Sequence, residues 1–512
     1  MNKLNRQQLQ TAGAASGQSP YKHDADAAND PNPNPNDAPV TVLQIGEGNF
    51  LRGFFDWMVH ESRKQGLFRG GVAVTQPRPS GKPKIDALNG QDRLYTLVIR
   101  GLDNGEPVER REIVSVFAEA FDPYGEWERM IGLAVSPDLR FVVSNTTEAG
   151  IVYRPEALTE GEPIVSFPGK IAYLLYRRYL AFDGAADRGL LFLPCELLER
   201  NGDALQESVL KYAADWGLPE AFREWVTTAN RFLNSLVDRI VAGYPDQEQA
   251  EAWFTEWGYR DDLLCVAEPY HLWAIEGEPE LDELLPFASA GLNVVWTDSL
   301  EPYRERKVRI LNGAHTLMTP LGILSGVEHV RELMEHETLG AFVKSTVRDE
   351  IIPSLPYPQE EMEAYANEVF DRYLNPFVRH RLYDIAMNSV SKFKVRLLPS
   401  LEHYARMGER VPDGLAKGLA ALLRYYRVNK EGTEYRGTAF DGRSYAVRDD
   451  AEALETLAAA WGEAERTGEL PEETARRLLA SEKLWGQDLS QWPGLAAQVA
   501  QAWAEWTEEE RT

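Results

Sequence analysis

One stretch narrows the fold more than any other. Thr41-Val-Leu-Gln-Ile45 is a short apolar run, Gly46-Glu47-Gly48-Asn49-Phe50-Leu51-Arg52 follows, and Phe54-Phe55-Asp-Trp57-Met58 opens an amphipathic pattern. Strand, glycine turn and helix in that order begin a dinucleotide-binding α/β unit. Glycines let the backbone approach a pyrophosphate, and helix N–H groups receive its charge. Leu51 occupies the place of the third glycine in Gly-x-Gly-x-x-Gly, so the run alone fits a plain tight turn equally well. Gly71-Val-Ala-Val-Thr75 reads as a second strand. It ends in Gln76-Pro77-Arg78 with Lys82 nearby, not in the acidic residue that takes ribose hydroxyls. Basic groups there lean towards a 2′-phosphate, and a solvated loop fits them too.

Further apolar runs follow at Tyr95–Ile99, Ile113–Val116, Phe141–Ser144, Leu190–Leu193 and Leu292–Trp296. Helical patterns such as Trp127–Ala134 and Gly169–Leu180 fall between them, which argues for a largely parallel sheet covered on both faces. Tyr95 to Glu119 is expected to be an antiparallel insertion about the turn Gly101-Leu-Asp-Asn-Gly105. Residues 202–257 read as helices. After about residue 300 the strand signal stops, and helical patterns run through 313–326, 338–351, 359–373, 377–390, 412–427, 450–466, 471–483 and 490–507. The fold class is therefore α/β: a nucleotide-binding domain over 41–300, then a largely α-helical domain over 301–512, with a cleft expected at their junction. The last sixty residues read as a packed surface bundle. Residues 1–40 read as a flexible leader, because the prolines in Asn-Pro-Asn-Pro-Asn-Pro lack N–H donors and few apolar groups offset ordering.

A net charge of −26 repels phosphate backbones and anionic bilayers alike, which disfavours nucleic-acid and membrane partners. The chain holds only Cys195 and Cys265, no signal-like apolar run and no membrane-length one, so a cytoplasmic protein is expected.

The chemistry is expected in Lys307-Val-Arg-Ile-Leu-Asn312-Gly-Ala-His315. On a helix with Lys307 at zero, His315 lies at roughly 80° and Asn312 at roughly 140°. An amine, an amide and an imidazole on one sector suit proton transfer at a carbonyl or carbinol. The amine moves the proton, the amide holds the oxygen and the imidazole orients both. A surface lysine, a capping Asn and a core His fit the spacing too. Other candidates are weaker. His336-Glu337 lacks the second His of a zinc-protease helix, and no Cys/His cluster has zinc spacing. Cys195 reads as a buried inert thiol, and Trp57, Trp253, Trp257 and Trp273 as core.

These motifs resemble the mannitol dehydrogenase family of polyol-specific long-chain dehydrogenases. That family carries a Lys, an Asn five residues on and a His three further, matched by Lys307, Asn312 and His315. Its nucleotide loop, Gly-x-Gly-x-Phe-x-Arg, is matched by Gly46, Gly48, Phe50 and Arg52. Thr147-Glu148-x-Gly150, Phe167-Pro-Gly-Lys170, Val237-Asp-Arg-Ile240 and Glu268-Pro269 follow in family order, spanning roughly 41 to 400. The resemblance implies a Rossmann-type N-terminal domain, a helical C-terminal domain, no metal, and NAD rather than NADP, held by residues Ile45 to Arg52. It makes Lys307 the general acid–base and Asn312 the holder of the substrate oxygen. His315 becomes the positioning group, and Glu148 a residue near the proton path. Leu197 departs from the family, which has a second oxygen-holding Asn there. Asn201 lies close by but reads as the N-cap of a helix starting at Gly202.

Within the family, Gln44–Arg52, Gln76-Pro-Arg78 and Cys195-Glu-Leu197…Asn201-Gly202 are most similar to the branch acting on a sugar acid. The implied substrate pair is tagaturonate and altronate, with fructuronate or mannitol as alternatives. A nucleotide-binding regulator without catalysis is the alternative from another class. A sugar-acid carboxylate needs a cation. Arg379 and Arg381, then Lys392, Lys394 and Arg396, are the candidates; Lys394 and Arg396 are extra to the mannitol pattern. A charged lysine is already the acid that keto reduction needs. Reduction is thus expected to be favoured at neutral pH and oxidation at alkaline pH.

Overall fold

A computed structural model describes residues 2–9, 38–159 and 161–509. Contacts divide the chain into two units. One holds the described residues up to Arg100 together with Pro107–Leu300, the other Gly101–Glu106 together with Glu301–Thr512.

In the first unit six parallel strands form one sheet in the order Phe117–Phe121, Gly71–Thr75, Val40–Ile45, Phe141–Ser144, Leu191–Pro194, Arg231–Phe232. Counted within this sheet the order is 3-2-1-4-5-6, the doubly wound arrangement. Side chains alternate between its faces. Val42, Val72, Val74, Phe141, Val143 and Leu193 enter one core with Phe54, Phe55 and Trp57. Leu43, Ile45, Ala73, Val142 and Phe192 enter the other with Phe167, Ile171 and Leu174. This is why the strands read as unbroken apolar runs. Trp57, Trp253 and Trp273 are buried.

Several expectations are corrected here. Tyr95–Asp103 and Glu106–Val114 do form a hairpin about Asn104-Gly105, both at positive φ, but the insertion ends before Glu119. Phe117–Phe121 is a parallel strand of the main sheet, placed there by pairing with Gly71–Thr75. Residues 202–257 are not all helical: Arg231–Phe232, Ser235–Asp238 and Val241–Gly243 lie between Glu220–Thr228 and Gln247–Trp257. The polar residues in those strands hid a partly exposed edge. Of the expected leader, 10–37 lies outside the described residues, while 2–9 is ordered. Leu4 is buried against Leu94, Ile113 and Tyr259, and its N–H donates to the Arg260 carbonyl.

The second unit is mostly helical around Gly313–Leu324, nearly every residue of which is buried. Three antiparallel strands, Val428–Glu431, Glu434–Thr438 and Ser444–Val447, break the expected all-helical run. The helix expected over 377–390 is instead two pieces, Leu382–Ile385 and Ser389–Arg396, parted at Asn388 with φ +57°. In the C-terminal region Trp461 packs against Trp503 with ring centroids 5.0 Å apart and planes tilted by 50°, and the two indoles donate to the carbonyls of Leu423 and Ala420. The tryptophans there are packing groups. Among the described residues no helix is long and apolar enough to cross a membrane.

Candidate functional site

The glycine turn leaves the C-terminal end of the central strand Val40–Ile45, flanked by Gly71–Thr75 and Phe141–Ser144. The strand order reverses there, and open α/β sheets bind ligands at that point. Gly46 has φ +139°, and a Cβ on it would stand 2.9 Å from the Asn145 carbonyl oxygen. Gly48 differs: nothing lies within 4 Å of its Cβ position. The backbone is thus open to a ligand at Gly48, as a pyrophosphate requires. Gly48→Ala is expected to change folding stability by less than about 1 kcal/mol. It should weaken NADH binding about tenfold, or ~1.4 kcal/mol. Thermal melts and fluorescence titration check the two halves of that statement.

The rest of the turn is built from beneath. Ile45 and Leu51 are buried, and Phe50 stacks on Phe54 at 4.9 Å. Arg52, expected among the cofactor contacts, points inward. Its guanidinium donates to the Leu263 carbonyl and to Asn49 Oδ1, and lies over the Tyr95 ring. It therefore fixes the turn rather than reaching for a ligand. Arg239, from Val237-Asp-Arg-Ile240, donates to the carbonyls of Gly53 (2.7 Å) and Glu268 (2.9 Å). Glu268 Oε1 accepts from the Ile240 N–H at 2.6 Å. Two of the family-like segments are thus braces for the glycine turn.

At the end of the second strand Gln76 Nε2 donates to Asp122 Oδ1 at 2.6 Å, and Lys82 pairs with Asp86. Arg78 and Lys82 are both exposed, and Arg78 lies on a pocket of about 380 Å³ lined also by Thr146, Thr147, Val165 and Phe167. Lys170 stands behind that pocket, fully buried. Its amine donates to the carbonyls of Pro77 (3.1 Å) and Val165 (2.7 Å) and to Tyr124 Oη (2.8 Å), and burial brings its pKa down to about 7. Thr147 has φ +103° and ψ 158°, a region nearly reserved for glycine, so the backbone is strained next to Glu148. Glu148 itself is exposed in the turn Glu148–Gly150.

Cys195 is buried, and burial pushes its thiol pKa well up, as an inert thiol requires. Glu196 takes hydrogen bonds from Ser144 Oγ, Thr146 N and Thr146 Oγ1, locking the loop after Phe141–Ser144. Leu197 is 68% exposed. Asn201 is not the N-cap; Arg200 is, at φ +51°. The Asn201 amide donates to the carbonyls of Pro194, Glu196 and Ser235, and its Oδ1 accepts from Ser235 N, which leaves it no donor for a substrate.

In the second unit the stretch Lys307–Asn312 is a π-helix that runs into the α-helix Gly313–Leu324. Its hydrogen bonds run i→i+5. Asn312 therefore stands nearly one turn above Lys307, not ~140° round the cylinder as regular α geometry puts it. The widened turn draws the amine and the amide onto one face. Arg309 leaves that face and is buried, donating to Glu305, Ser354 and Ser400. His315 is buried, its ring 4.5 Å from Tyr373 and 4.9 Å from His380. Burial, reinforced by His380, Arg396, Arg372 and Lys392, holds its pKa well below the usual imidazole value, so the ring is neutral at pH 7. Its Nε2 is buried without a hydrogen-bond partner. A buried imidazole nitrogen left unpaired is costly unless a ligand completes it.

The expected carboxylate cations separate. Arg396 Nη1 donates to Thr316 Oγ1 at 3.1 Å and lies 3.5 Å from the Asn312 carbonyl oxygen, beside the π-helix. Lys392, one turn earlier on the same helix face, donates to the Ile385 carbonyl. Lys394 faces elsewhere, its amine 4.0 Å from the Cβ position of Gly486. Arg379 and Arg381 are exposed. His380 and Tyr373 beside His315 are not legible as site residues in the sequence, because they come from segments about 60 residues away with no local motif. Among the described residues, ligand atoms of His60, Glu61 and Glu112 lie within 4.8 Å of one another. Lys64 sits 3.0 Å from Glu61 and 3.6 Å from Glu112, so a lysine already supplies the positive charge there.

Comparison with known proteins identifies the family of both units. Residues 40–287 match the model of the mannitol dehydrogenase Rossmann domain, and residues 299–507 that of the mannitol dehydrogenase C-terminal domain. An altronate oxidoreductase of Halalkalibacterium halodurans is 43% identical over 91% of this chain and 90% of its own. One of Bacillus subtilis is 43% identical over 90% and 92%. Among solved structures, a mannitol 2-dehydrogenase of Pseudomonas fluorescens in complex with NAD and D-mannitol superposes with a TM-score of 0.63. It is 22% identical and covers 99% of this chain and 97% of its own. A D-sorbitol dehydrogenase in substrate-free form gives 0.70 at 21% identity, over 91% and 96%. These two structures are likenesses of fold.

Proposed function

Because this chain belongs to the mannitol dehydrogenase family, we propose that it interconverts D-tagaturonate and D-altronate with NAD. The observation that carries this reading is the identity with altronate oxidoreductases along nine-tenths of both chains. The open backbone at Gly48 and the strand-order reversal fit a dinucleotide held by Gly46–Asn49. Bound NAD supplies the hydride acceptor for the carbinol carbon of altronate. Lys307 removes the hydroxyl proton in oxidation and returns it to the ketone oxygen in reduction. The Asn312 amide donates to that oxygen and holds it near the amine. His315, neutral at pH 7, completes a hydrogen bond to the substrate through Nε2. Arg396 takes the carboxylate. Arg379 and Lys394 contribute by long-range charge at most. Glu148 would serve the proton's exit. Two buried thiols and an acidic surface fit a cytoplasmic enzyme with no polyanionic partner.

The test is a substrate panel followed by loss of NADH absorbance. Tagaturonate with NADH is expected to react faster than fructuronate or fructose, and faster than tagaturonate with NADPH. Faster turnover of fructuronate or fructose would move the assignment to another branch of the family. Binding of NADH with no turnover of any of them would favour a regulator.

A further inference from the structure

The dinucleotide reading leaves one question of recognition open. The strand Gly71–Thr75 ends without the carboxylate that takes adenosine ribose hydroxyls in NAD sites. Gln76 stands there, and its amide is spent on Asp122. A carboxylate reaches the same place from the glycine turn. Glu47 Oε1 lies 2.7 Å from the Cβ position of Gly81, and Gln76 Cβ lies 2.4 Å from that same point. The Glu47 side chain has therefore crossed from the loop after the first strand to the loop after the second. Only a glycine at 81 leaves room for it.

The surroundings of Glu47 suit a ligand. The residue is 8% exposed, and the one hydrogen bond its carboxyl takes among the described residues comes from its own backbone. Burial raises its pKa, while Lys84, Arg52 and Arg78 oppose that shift and favour the charged form. A buried carboxylate short of donors is costly. Two vicinal hydroxyls would supply the missing donors. A 2′-phosphate would instead meet a like charge at short range.

We propose that Glu47 takes the ribose hydroxyls of the adenosine half and sets the preference for NAD over NADP, in place of an acidic residue on the second strand. Arg78, exposed on the neighbouring pocket, is the cation a 2′-phosphate would meet once that carboxylate is gone.

This inference rests on the dinucleotide reading but needs no sugar acid. The test is direct titration of NADH and NADPH, followed by quenching of tryptophan fluorescence, on the full chain. Wild type is expected to prefer NADH. Glu47→Gln keeps the size and removes the charge, and should shift the NADPH-to-NADH affinity ratio on the order of 100-fold towards NADPH. Adding Arg78→Ala should abolish that gain, an effect no loss of packing would give. Glu47→Asp withdraws the charge without removing it and should weaken NADH with no gain for NADPH, so it serves if the glutamine variant does not fold. An unchanged ratio in folded Glu47→Gln, or equal binding of both cofactors by wild type, overturns the inference. Wild type that binds neither dinucleotide would overturn the cofactor reading along with it. Failure of tagaturonate to react would overturn only the substrate assignment.

Discussion

Lys307→Ala should lower kcat for tagaturonate reduction by on the order of 10³, the scale of a lost general acid. NADH affinity should hold, because the lysine is assigned to the substrate's proton and not to the dinucleotide. Stopped-flow NADH consumption and a binding titration separate the two quantities. A variant that keeps more than about a tenth of the wild-type rate would remove Lys307 from the proton path. In wild type, the pH profile should show no break from His315 near neutrality, because burial keeps the ring unprotonated there.

Arg396→Ala should raise the KM for tagaturonate roughly 10- to 100-fold, equivalent to about 1.5–3 kcal/mol for one hydrogen bond to a charged group. Any residual fructose activity, with no carboxylate at stake, should change by less than about threefold. Lys394→Ala should leave both substrates near wild type, since its amine sits by Gly486 and not by the π-helix. Equal losses on tagaturonate and fructose would mean that Arg396 supports Asn312 and Thr316 through its hydrogen bonds, and does not meet the carboxylate. Arg396→Lys, which restores charge without the planar fork, should recover only part of the KM.

The fold was legible where physical signals are local. Alternating burial on two faces made the sheet strands continuous apolar runs, and the glycine turn marked their first crossover. Phe117–Phe121 is not legible as a main-sheet strand because its place depends on pairing with Gly71–Thr75, more than forty residues away in sequence. The meander over 428–447 carries charged and polar side chains on exposed strands, so no apolar run announced it. In the site, Lys307, Asn312 and His315 stood out by type and spacing, yet the backbone that joins them is not the regular helix their spacing was read on. Arg396 was separable from Lys394 only once Ser389–Arg396 was seen as one helix with two opposed basic sides.

The π-helix at Lys307–Asn312 bears on how such enzymes are found. A Lys-x4-Asn-x2-His string on an ordinary helix would set its carboxamide roughly 140° round from its amine, at the far edge of a shared sector. Pattern matching on letters alone will therefore collect impostors. A filter that also demands the locally underwound, widened turn, with about one residue more than a regular helix spends on it, should separate working sites from look-alikes.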